Sequence, residues 1–513
     1  MPIDWTALVV FILLFLLITV LGFVAVHWRR GDLDLLHEWG LAGGRFGTVV
    51  TWFLLGGDLY TAYTFIAVPA LMFGAGAIGF FAVPYTIMVY PFVFVVFPRL
   101  WSVARRNGYI TASDFVRGRY GSRWLALAVA VTGIVATMPY IALQLVGIQV
   151  VIAGLGVEGS GWMADLPLVI AFVILAAFTY TSGLRAPAAI AIVKDTLIWI
   201  TVIAAVVWIP IKLGGYGAVF AHVPPEKLLL ARGPANALLP YSAYFTLALG
   251  SALALFLYPH AMTGVLSSSS RRAISRNAAL LPAYSFLLAL IALLGFMAIA
   301  IGVDKAPEFT GFAKDYPRNF AVPALFISVF PSWFVGVAFA AIAIGALVPA
   351  AIMSIAAANL WTRNIYKEFI NPACTPAQES RMAKLVSLVV KFGALLFIVA
   401  IPLQFAINLQ LLGGVWIIQT LPAVIIGLYT RWFHEKALMF GWLAGIIAGT
   451  WMAAAQNFTP IFPVPIGGYL LPCYTALATL VLNFVVAIVL TPVFNAMGGS
   501  RGIDETQIEH YSA

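Results

Sequence analysis

The chain has 513 residues, of which 63% are hydrophobic and only 9% are charged. Soluble domains carry about 25% charged residues, so this composition excludes a soluble globular protein and indicates a polytopic membrane protein. The formal net charge of +9 could suit a nucleic-acid partner, but the placement of the basic residues along the chain argues against one.

Thirteen stretches of the sequence are long and apolar enough to cross a bilayer, because a spanning helix needs about 20 mostly apolar residues. The predicted spans are 5-27, 48-74, 80-98, 125-154, 166-183, 188-212, 240-259, 279-302, 333-361, 384-402, 406-429, 437-456 and 468-492. No loop between them is long enough for a soluble domain. We therefore predict one all-α integral membrane domain over residues 1-513, and no enzyme.

The basic residues lie mostly on one side of the predicted membrane. The loops after spans 1, 3, 5, 7, 9 and 11, together with the C-terminal tail and the span-edge Lys384, hold 20 of the 28 Lys and Arg residues, and the opposite loops with the span-edge Lys212 hold six. This positive-inside excess predicts an outside N-terminus and a cytoplasmic C-terminus. The first segment, MPIDW, has no basic leader and is interpreted as a retained span. Basicity thus reflects topology, and no nucleic-acid partner is expected.

Span 2 contains the stretch TWFLLGGDLYTAYTF, in which Gly56 and Gly57 precede Asp58. Paired glycines weaken a helix and can leave main-chain groups free to hold a solute. A carboxylate inside a span faces protein or water and marks a pathway by default. Alternatively, Asp58 only braces a kinked helix. The aromatic side chains of Tyr60 and Tyr63 are candidates for the wall of the same cavity.

Span 4 contains MPYIALQLVGIQ, where Pro139 predicts a kink. Tyr140 and Gln144 recur at i and i+4, which places a hydroxyl and an amide on one helix face. That face suits a wet cavity, and plain packing between helices is an equal alternative.

Span 6 carries the adjacent charges Lys194 and Asp195. Neighbours on a helix point about 100° apart, so the two side chains are not expected to face each other fully. Each is expected to have another partner or to border an aqueous vestibule. In the alternative interpretation, Lys194 extends to the cytoplasmic surface.

Span 7 ends in LFLYPHAMTG, where Pro259 interrupts the helix and His260 could titrate near neutral pH or serve a structural role. Broken spans 2 and 7 lie five spans apart, as an inverted five-plus-five repeat would place them. The predicted division is a first repeat at 48-212 and a second at 240-429. An extra helix with an inner loop (1-47) and two C-terminal helices with a short tail (430-513) flank the repeats.

Span 9 contains GALVPAAIMS, in which Pro349 stands inside an otherwise regular apolar helix. Lys391 in span 10 is interpreted as structural. Cys374 and Cys473 lie far apart, so neither a disulfide nor a metal site is predicted. The sequence has no phosphate-binding loop, metal-binding cluster or nucleophile elbow, and we expect no cofactor.

Four segments together resemble the sodium:solute symporter family, which includes proline, sodium/glucose and monocarboxylate carriers: YITASDFVRGRYG, YTSGLRAPAAIAIVKD, LYPHAMTG and NLWTRNIYKEF. The resemblance implies a LeuT-type fold of inverted repeats with flanking helices, and alternating access around a central site. Within the family, GALVPAAIMSIAAANLWTRNIYKEF and FLLGGDLYTAYTF look most like bacterial monocarboxylate permeases for lactate, pyruvate and similar acids. A bacterial plasma membrane is the implied location.

The sequence departs from the family pattern at the expected sodium site. Sodium-coupled members place two hydroxyl residues early in span 9, and ungapped alignment through TRNIYKEF puts Val348 and Pro349 there. These side chains offer no oxygen to a hard cation, so the pair is interpreted as a degenerate sodium site. In some proton-coupled carriers of this fold a lysine stands where sodium would, and Lys194 is the corresponding candidate. The alternative is sodium binding at a shifted site that includes Ser354.

The sequence-based hypothesis is import of a short monocarboxylate with a proton by alternating access. Either Lys194 carries the proton, or Lys194 holds the core helices while Asp58 or Asp195 carries it. Amides of the broken spans are candidate donors to the carboxylate. A sodium-coupled symporter of another small organic solute is the alternative, and a channel or a membrane sensor is the alternative from another class. The candidate substrate-binding residues are Gly56, Gly57, Asp58, Tyr60, Tyr140, Gln144 and Tyr258.

Overall fold

The computed structural model describes residues 2–28, 31–57, 60–157, 166–400, 406–498 and 501–512. Most of these residues are helical, as apolar segments in a bilayer must be when they satisfy their own main-chain hydrogen bonds. The helices of the first half are α1 (Trp5–Val24), α2 (Leu36–Leu41), α3 (Thr48–Gly57), α4 (Val68–Ala75), α5 (Ala82–Asn107), α6 (Ala112–Tyr120), α7 (Arg123–Gly154), α8 (Leu166–Ser182), α9 (Arg185–Leu213), α10 (Tyr216–Ala221) and α11 (Pro225–Leu228).

The second half is built in the same way, with one short hairpin. Its helices are α12 (Ser242–Leu255), α13 (Pro259–Leu266), α14 (Arg271–Leu280), α15 (Pro282–Ile301), α16 (Thr310–Asp315), α17 (Ala321–Val329), α18 (Ser332–Trp361), α19 (Pro376–Ala400), α20 (Ala406–Ile417), α21 (Leu421–Val424), α22 (Glu435–Ala455) and α23 (Thr475–Ala496). Strands β1 (Ile461–Ile466) and β2 (Tyr469–Tyr474) pair antiparallel.

The number of membrane-spanning helices differs from the thirteen predicted. Within the described residues, nine helices are long and apolar enough to cross a membrane, or up to ten if a bent pair counts as one span. Two further apolar helices, α3 and α8, are shorter. Helical structure lies within every predicted span, but the count of thirteen is not confirmed. Residues 468–474, predicted as the start of span 13, instead belong to the hairpin, and α23 begins at Thr475.

Both spans predicted to be broken are interrupted. Helix α3 ends at Gly57, and a π-type turn, Tyr63–Ala67, leads into α4. Helices α12 and α13 meet at an angle of 49°, and Pro259 is the first residue of α13. Proline has no amide hydrogen and is tolerated at a helix start, so it ends one helix and begins the next.

Helix α18 lies at the centre of the bundle. It packs against α1, α7, α9, α13 and α19. In the most apolar part of the stretch Ser332–Ile370, 94% of the residues are buried. Small residues along GALVPAAIMSIAAA allow neighbouring helices to approach closely. The helix runs on through Pro349, as α7 does through Pro139. This arrangement brings α3, α9 and α18 together at the interruption of span 2.

Candidate functional site

The two glycines that end α3 leave room for side chains from other helices. A Cβ atom added at Gly56 would lie 2.1 Å from Cε2 of Tyr284, and one added at Gly57 would lie 2.7 Å from Nζ of Lys194. Both distances are too short for an alanine. Gly56 and Gly57 therefore serve close packing at this break, which the sequence had suggested as a substrate site. Asp58 lies outside the described residues.

The ammonium group of Lys194 is fully buried at the break in span 2. Its Nζ atom donates to the main-chain oxygen of Gly57 at 2.6 Å and to that of Tyr60 at 3.3 Å. It also lies 3.0 Å from Oδ1 of Asp195. Three oxygen atoms thus surround one cation. The two side chains were not expected to face each other fully, yet they form an ion pair, because the lysine stem is long enough to fold back towards the carboxylate. Each also has the further partner that was expected, and Lys194 does not extend to the surface.

Asp195 is held from a second side by Tyr284 of α15. The Tyr284 hydroxyl donates to Oδ2 of Asp195 at 2.7 Å, and both residues are buried. The ring of Tyr60 packs on Tyr284 with centroids 4.5 Å apart, and its hydroxyl donates to the Tyr284 carbonyl at 3.4 Å. The sequence analysis did not single out Tyr284, since a tyrosine early in an apolar helix carries no distinguishing pattern. Tyr60 belongs to this cluster around the ion pair.

Gln144 connects α7 to the interrupted span. Its Oε1 atom accepts from the main-chain amide of Ala62 at 3.0 Å, and its Nε2 atom donates to the carbonyl of Tyr140 at 3.3 Å. The amide of Ala62 lies just before the helical turn Tyr63–Ala67, and first-turn amides need an acceptor from outside their helix. Gln144, predicted as a substrate ligand, therefore supports the broken backbone in this structure.

Aromatic side chains from α7 and the break in span 7 form a second cluster. Tyr140 lies edge-on to Tyr258, with centroids 5.4 Å apart, and 5.3 Å from His260. The Tyr258 hydroxyl donates to the main-chain oxygen of Gln410 at 3.0 Å, which ties the break to α20. Tyr140 and Tyr258, which were predicted from separate spans as substrate-binding residues, are thus in contact.

Tyr63 contributes a buried hydroxyl to the same region. That hydroxyl has no hydrogen-bond partner among the described residues. The turn that carries it, Tyr63–Ala67, packs against α7 and α20. A buried donor without a partner costs free energy, and a carboxylate oxygen placed here would satisfy it. The sequence had offered Tyr63 only as a wall residue.

Val348 and Pro349 lie buried within α18. One turn earlier, Gly345 approaches the break in span 2, since an added Cβ atom would lie 3.8 Å from the Tyr60 carbonyl oxygen. The Ser354 hydroxyl donates to the carbonyl of Ala351 at 2.8 Å and accepts from Ser387 at 3.2 Å. The hydroxyl thus uses its donor and one of its two acceptor sites within the bundle.

Two cavities lead from one end of the bundle towards the break in span 7. The larger, about 470 Å³, is bordered by Arg105, Ile110 and Arg363. The smaller, about 20 Å³, is bordered by Ile110 and by Pro259 at the break. Ile110 stands between them. The positive-inside excess predicts that the larger cavity opens to the cytoplasm.

An ion-paired carboxylate lines the larger cavity at the start of α19. Glu379 accepts from Nη1 of Arg363 and from Nζ of Lys367, each at 2.9 Å. Burial alone would raise the pKa of the Glu379 carboxyl, but these two hydrogen bonds outweigh it and hold that pKa below its ordinary value. The carboxylate therefore stays ionised at neutral pH and braces the loop between α18 and α19.

Comparisons with known proteins agree on one kind of protein. The family model described as "Sodium:solute symporter family" matches residues 39–449. The chain is 54% identical over 505 residues to a protein of Rhizobium johnstonii named "Monocarboxylate transport permease protein", covering 97% of this chain and 99% of that one. It is 32% identical over 508 residues to "Uncharacterized symporter YodF" of Bacillus subtilis, covering 98% and 96% of the two chains.

A solved structure shares the fold across the whole chain. It is the substrate-bound, outward-open state of a Na+-coupled sialic acid symporter, similar with a TM-score of 0.77 over 96% of this chain and 98% of that one. The identity is 13%, so this likeness supports the arrangement of helices alone.

Proposed function

We propose that this chain, which belongs to the sodium:solute symporter family, imports short-chain monocarboxylates such as lactate and pyruvate together with a proton. Membership makes it a multi-pass membrane symporter of a small solute, and a transporter rather than an enzyme. Its fold is the LeuT type expected from the sequence. The channel and sensor alternatives are set aside, since the family consists of carriers.

The substrate class rests chiefly on one observation, the 54% identity over nearly the full length to the monocarboxylate permease of Rhizobium johnstonii. The second aromatic cluster supports it. Tyr63 offers a buried hydroxyl that has no partner among the described residues, and Tyr140 and Tyr258 pack against each other in the second cluster. The first amides of α13, which follow Pro259, carry partial positive charge and add donors for an anion. We place the carboxylate of the substrate between these groups.

Proton coupling is supported by the position of Lys194. Main-chain carbonyls at a broken helix are the oxygens that a hard cation seeks, and here the lysine ammonium takes two of them together with the Asp195 carboxylate. A cation supplied by the chain leaves no need for sodium at this position. The side chains of Val348 and Pro349 on the neighbouring helix supply no oxygen. We assign Lys194 as the substitute cation and Asp195 as its counter-charge.

Sodium coupling at a shifted site that includes Ser354 is the rival proposal. The family as a whole and the solved sialic acid symporter favour it. Against it, the Ser354 hydroxyl already bonds to Ala351 and Ser387, and Ser387 in turn accepts from the ammonium of Lys391 at 2.7 Å. A sodium ion beside this hydroxyl would meet a second positive charge.

The membrane arrangement completes the proposal. We place the chain in a bacterial plasma membrane with the N-terminus outside and the C-terminus in the cytoplasm, from the excess of basic residues on one side. Residues 48-212 and 240-429 are proposed as the inverted repeats, since the interruption after Gly57 and the one at Pro259 occupy equivalent places in them.

Reconstituted transport tests this function directly. Purified protein in liposomes would be given radiolabelled pyruvate, lactate, acetate or alanine under a pH gradient or a sodium gradient, each applied alone. We expect the monocarboxylates to accumulate under the pH gradient and alanine not to. Accumulation of pyruvate driven by sodium at equal pH, and unaffected by Lys194→Ala, would refute proton coupling.

A further inference from the structure

We infer that Lys391 in α19 is the residue that binds and releases the transported proton, while Lys194 remains a fixed cation. This inference rests on the proposed proton symport. Lys391 is a second buried lysine, distant in sequence from Lys194. The two lysines differ in whether a carboxylate lies close to the ammonium group.

Lys391 has no counter-charge in the part of the chain that the structure describes. Its side chain is 1% exposed in the interior of a predicted span. Its Nζ atom donates to Oγ of Ser387 at 2.7 Å and lies 3.5 Å from the Ser387 carbonyl, and no carboxylate of the described residues lies within ion-pairing distance. An ammonium group in a membrane interior is costly when it is unpaired. Lys194 in contrast has Asp195 at 3.0 Å.

The charged groups on the elements that pack against α19 do not change this. Those elements are α2, α7, α8, α18 and the helical turns Thr362–Ile370. Their titratable residues, with those of α19 itself, are His37, Glu38, Arg123, Tyr140, Tyr180, Arg363, Tyr366, Lys367, Glu368, Glu379, Arg381 and Lys384. Each of the three carboxylates is engaged elsewhere: Glu38 with Arg185, Glu368 with Arg117 and Glu379 with Arg363.

A hydrogen-bond chain connects Lys391 to the central helix. Ser387 donates to Ser354 of α18, and Ser354 donates to the carbonyl of Ala351, two residues after Pro349. When the amine is neutral, it can accept a hydrogen bond that the ammonium cannot, so the direction of this chain depends on the proton. Protonation of Lys391 is thereby sensed by α18, against which the broken spans pack.

The helix that carries Lys391 packs against a helix that contributes to the proposed substrate site. Helix α19 packs against α7, which holds Tyr140. In a low-dielectric interior, the negative charge of a bound carboxylate favours the ammonium form of a nearby lysine. The amine takes a proton from the outer side when the anion binds and returns it to the inner side after the anion leaves. Proton and anion then cross as a neutral pair.

The experiment compares net transport with exchange in liposomes. Wild type should accumulate radiolabelled pyruvate about tenfold for each unit of pH gradient, as one proton per anion allows. Lys391→Met should lose this accumulation, with a ratio near 1, yet retain exchange of internal for external pyruvate at equal pH. Lys384→Met, on the same helix and near Asp34 at 3.9 Å, is the matched control and should accumulate like wild type.

Ser387→Ala supplies a second test that keeps the lysine, in case Lys391→Met does not fold. It removes an acceptor that favours the ammonium, so half-maximal uptake should move to lower pH. Undiminished pH-driven accumulation by folded Lys391→Met would overturn the inference, as would loss of exchange together with accumulation, which indicates a structural role. If wild type itself ignores the pH gradient, the proposed function fails instead.

Discussion

The Nζ atom of Lys194 lies 2.6 Å from the main-chain oxygen of Gly57, so a side chain of α9 binds the last residue of α3. The absence of a Cβ atom at Gly57 makes this contact possible, because an alanine there would place a carbon 2.7 Å from the same nitrogen. A charged side chain and a glycine from spans far apart in the sequence thus form one unit, from which the first predictions follow.

Replacement of Lys194 by Met should both destabilise the protein and abolish transport. The change leaves Asp195 buried without its cation, at a cost of about 3–5 kcal/mol. The double variant Lys194→Met/Asp195→Asn should regain most of the stability, since no charge is then left unpaired, yet should not regain uptake or exchange. Thermal unfolding in detergent and pyruvate uptake would be measured side by side. Normal exchange by the single variant would contradict the role assigned to Lys194.

Gly57→Ala should impair transport strongly through the clash with the Lys194 ammonium. Gly56→Ala should do the same, because the new carbon would fall 2.1 Å from the Tyr284 ring. Gly47→Ala is the matched control at the residue just before α3, where nothing lies within 4 Å of the added carbon. Initial rates of uptake, normalised to folded protein, check this comparison. Equal rates for all three variants would mean that the break tolerates larger residues than its geometry implies.

Tyr63→Phe should weaken substrate binding without lowering stability. The hydroxyl has no partner in the described protein, so its removal leaves nothing unsatisfied, whereas a bound carboxylate would lose one hydrogen bond. A bond to a charged group contributes about 1.5–3 kcal/mol, so pyruvate affinity should fall about tenfold or more. Equilibrium binding measured by calorimetry is suitable. Tyr90→Phe is the control. It removes a hydroxyl that lies 2.7 Å from that of Ser285, and the variant should bind pyruvate normally.

Glu379→Gln should destabilise the protein at neutral pH and less so in acid. The pKa of Glu379 is lowered in the folded state, so its carboxylate contributes stability above the ordinary pKa, and this contribution is lost as the pH falls through the folded value. The difference in melting temperature between wild type and variant should therefore shrink from pH 7 towards about pH 4. Glu308→Gln alters an exposed carboxylate and should show no such trend. A difference that grows in acid would reverse the assigned sign.

The membrane orientation can be measured with introduced cysteines, because both native thiols, Cys374 and Cys473, are buried. Tyr469→Cys, at the tip of the hairpin, should react with a membrane-impermeant maleimide in intact cells. Ile508→Cys, in the tail and 79% exposed, should react only after permeabilisation. The opposite pattern would place the hairpin in the cytoplasm and the C-terminal tail outside.

Sequence reasoning located the interruptions of spans 2 and 7, because glycine and proline act on the backbone locally. It also identified Lys194, Asp195, Tyr140 and Tyr258 as polar groups inside spans. It misjudged how the first two relate, since the 100° step between helix neighbours ignores the reach of a lysine stem. Its interpretation of Lys391 as structural stays untested, and the lack of a counter-charge among the described residues could not be predicted, because it depends on which helices surround α19.

The sequence by itself determined the class of protein, the helical architecture, the family and the places where helices break. These properties follow from hydropathy, local backbone chemistry and motif identity, each of which can be recognised within a single stretch of the sequence. Only the tertiary structure decided which polar groups share a site: Tyr284 with Asp195, Gln144 with the amide of Ala62, and Lys391 with Ser387 and Ser354. Lys391 and Ser387 are one turn apart on the same helix, but the other pairings join segments 33 to 89 residues apart and depend on helix packing, which no single segment encodes.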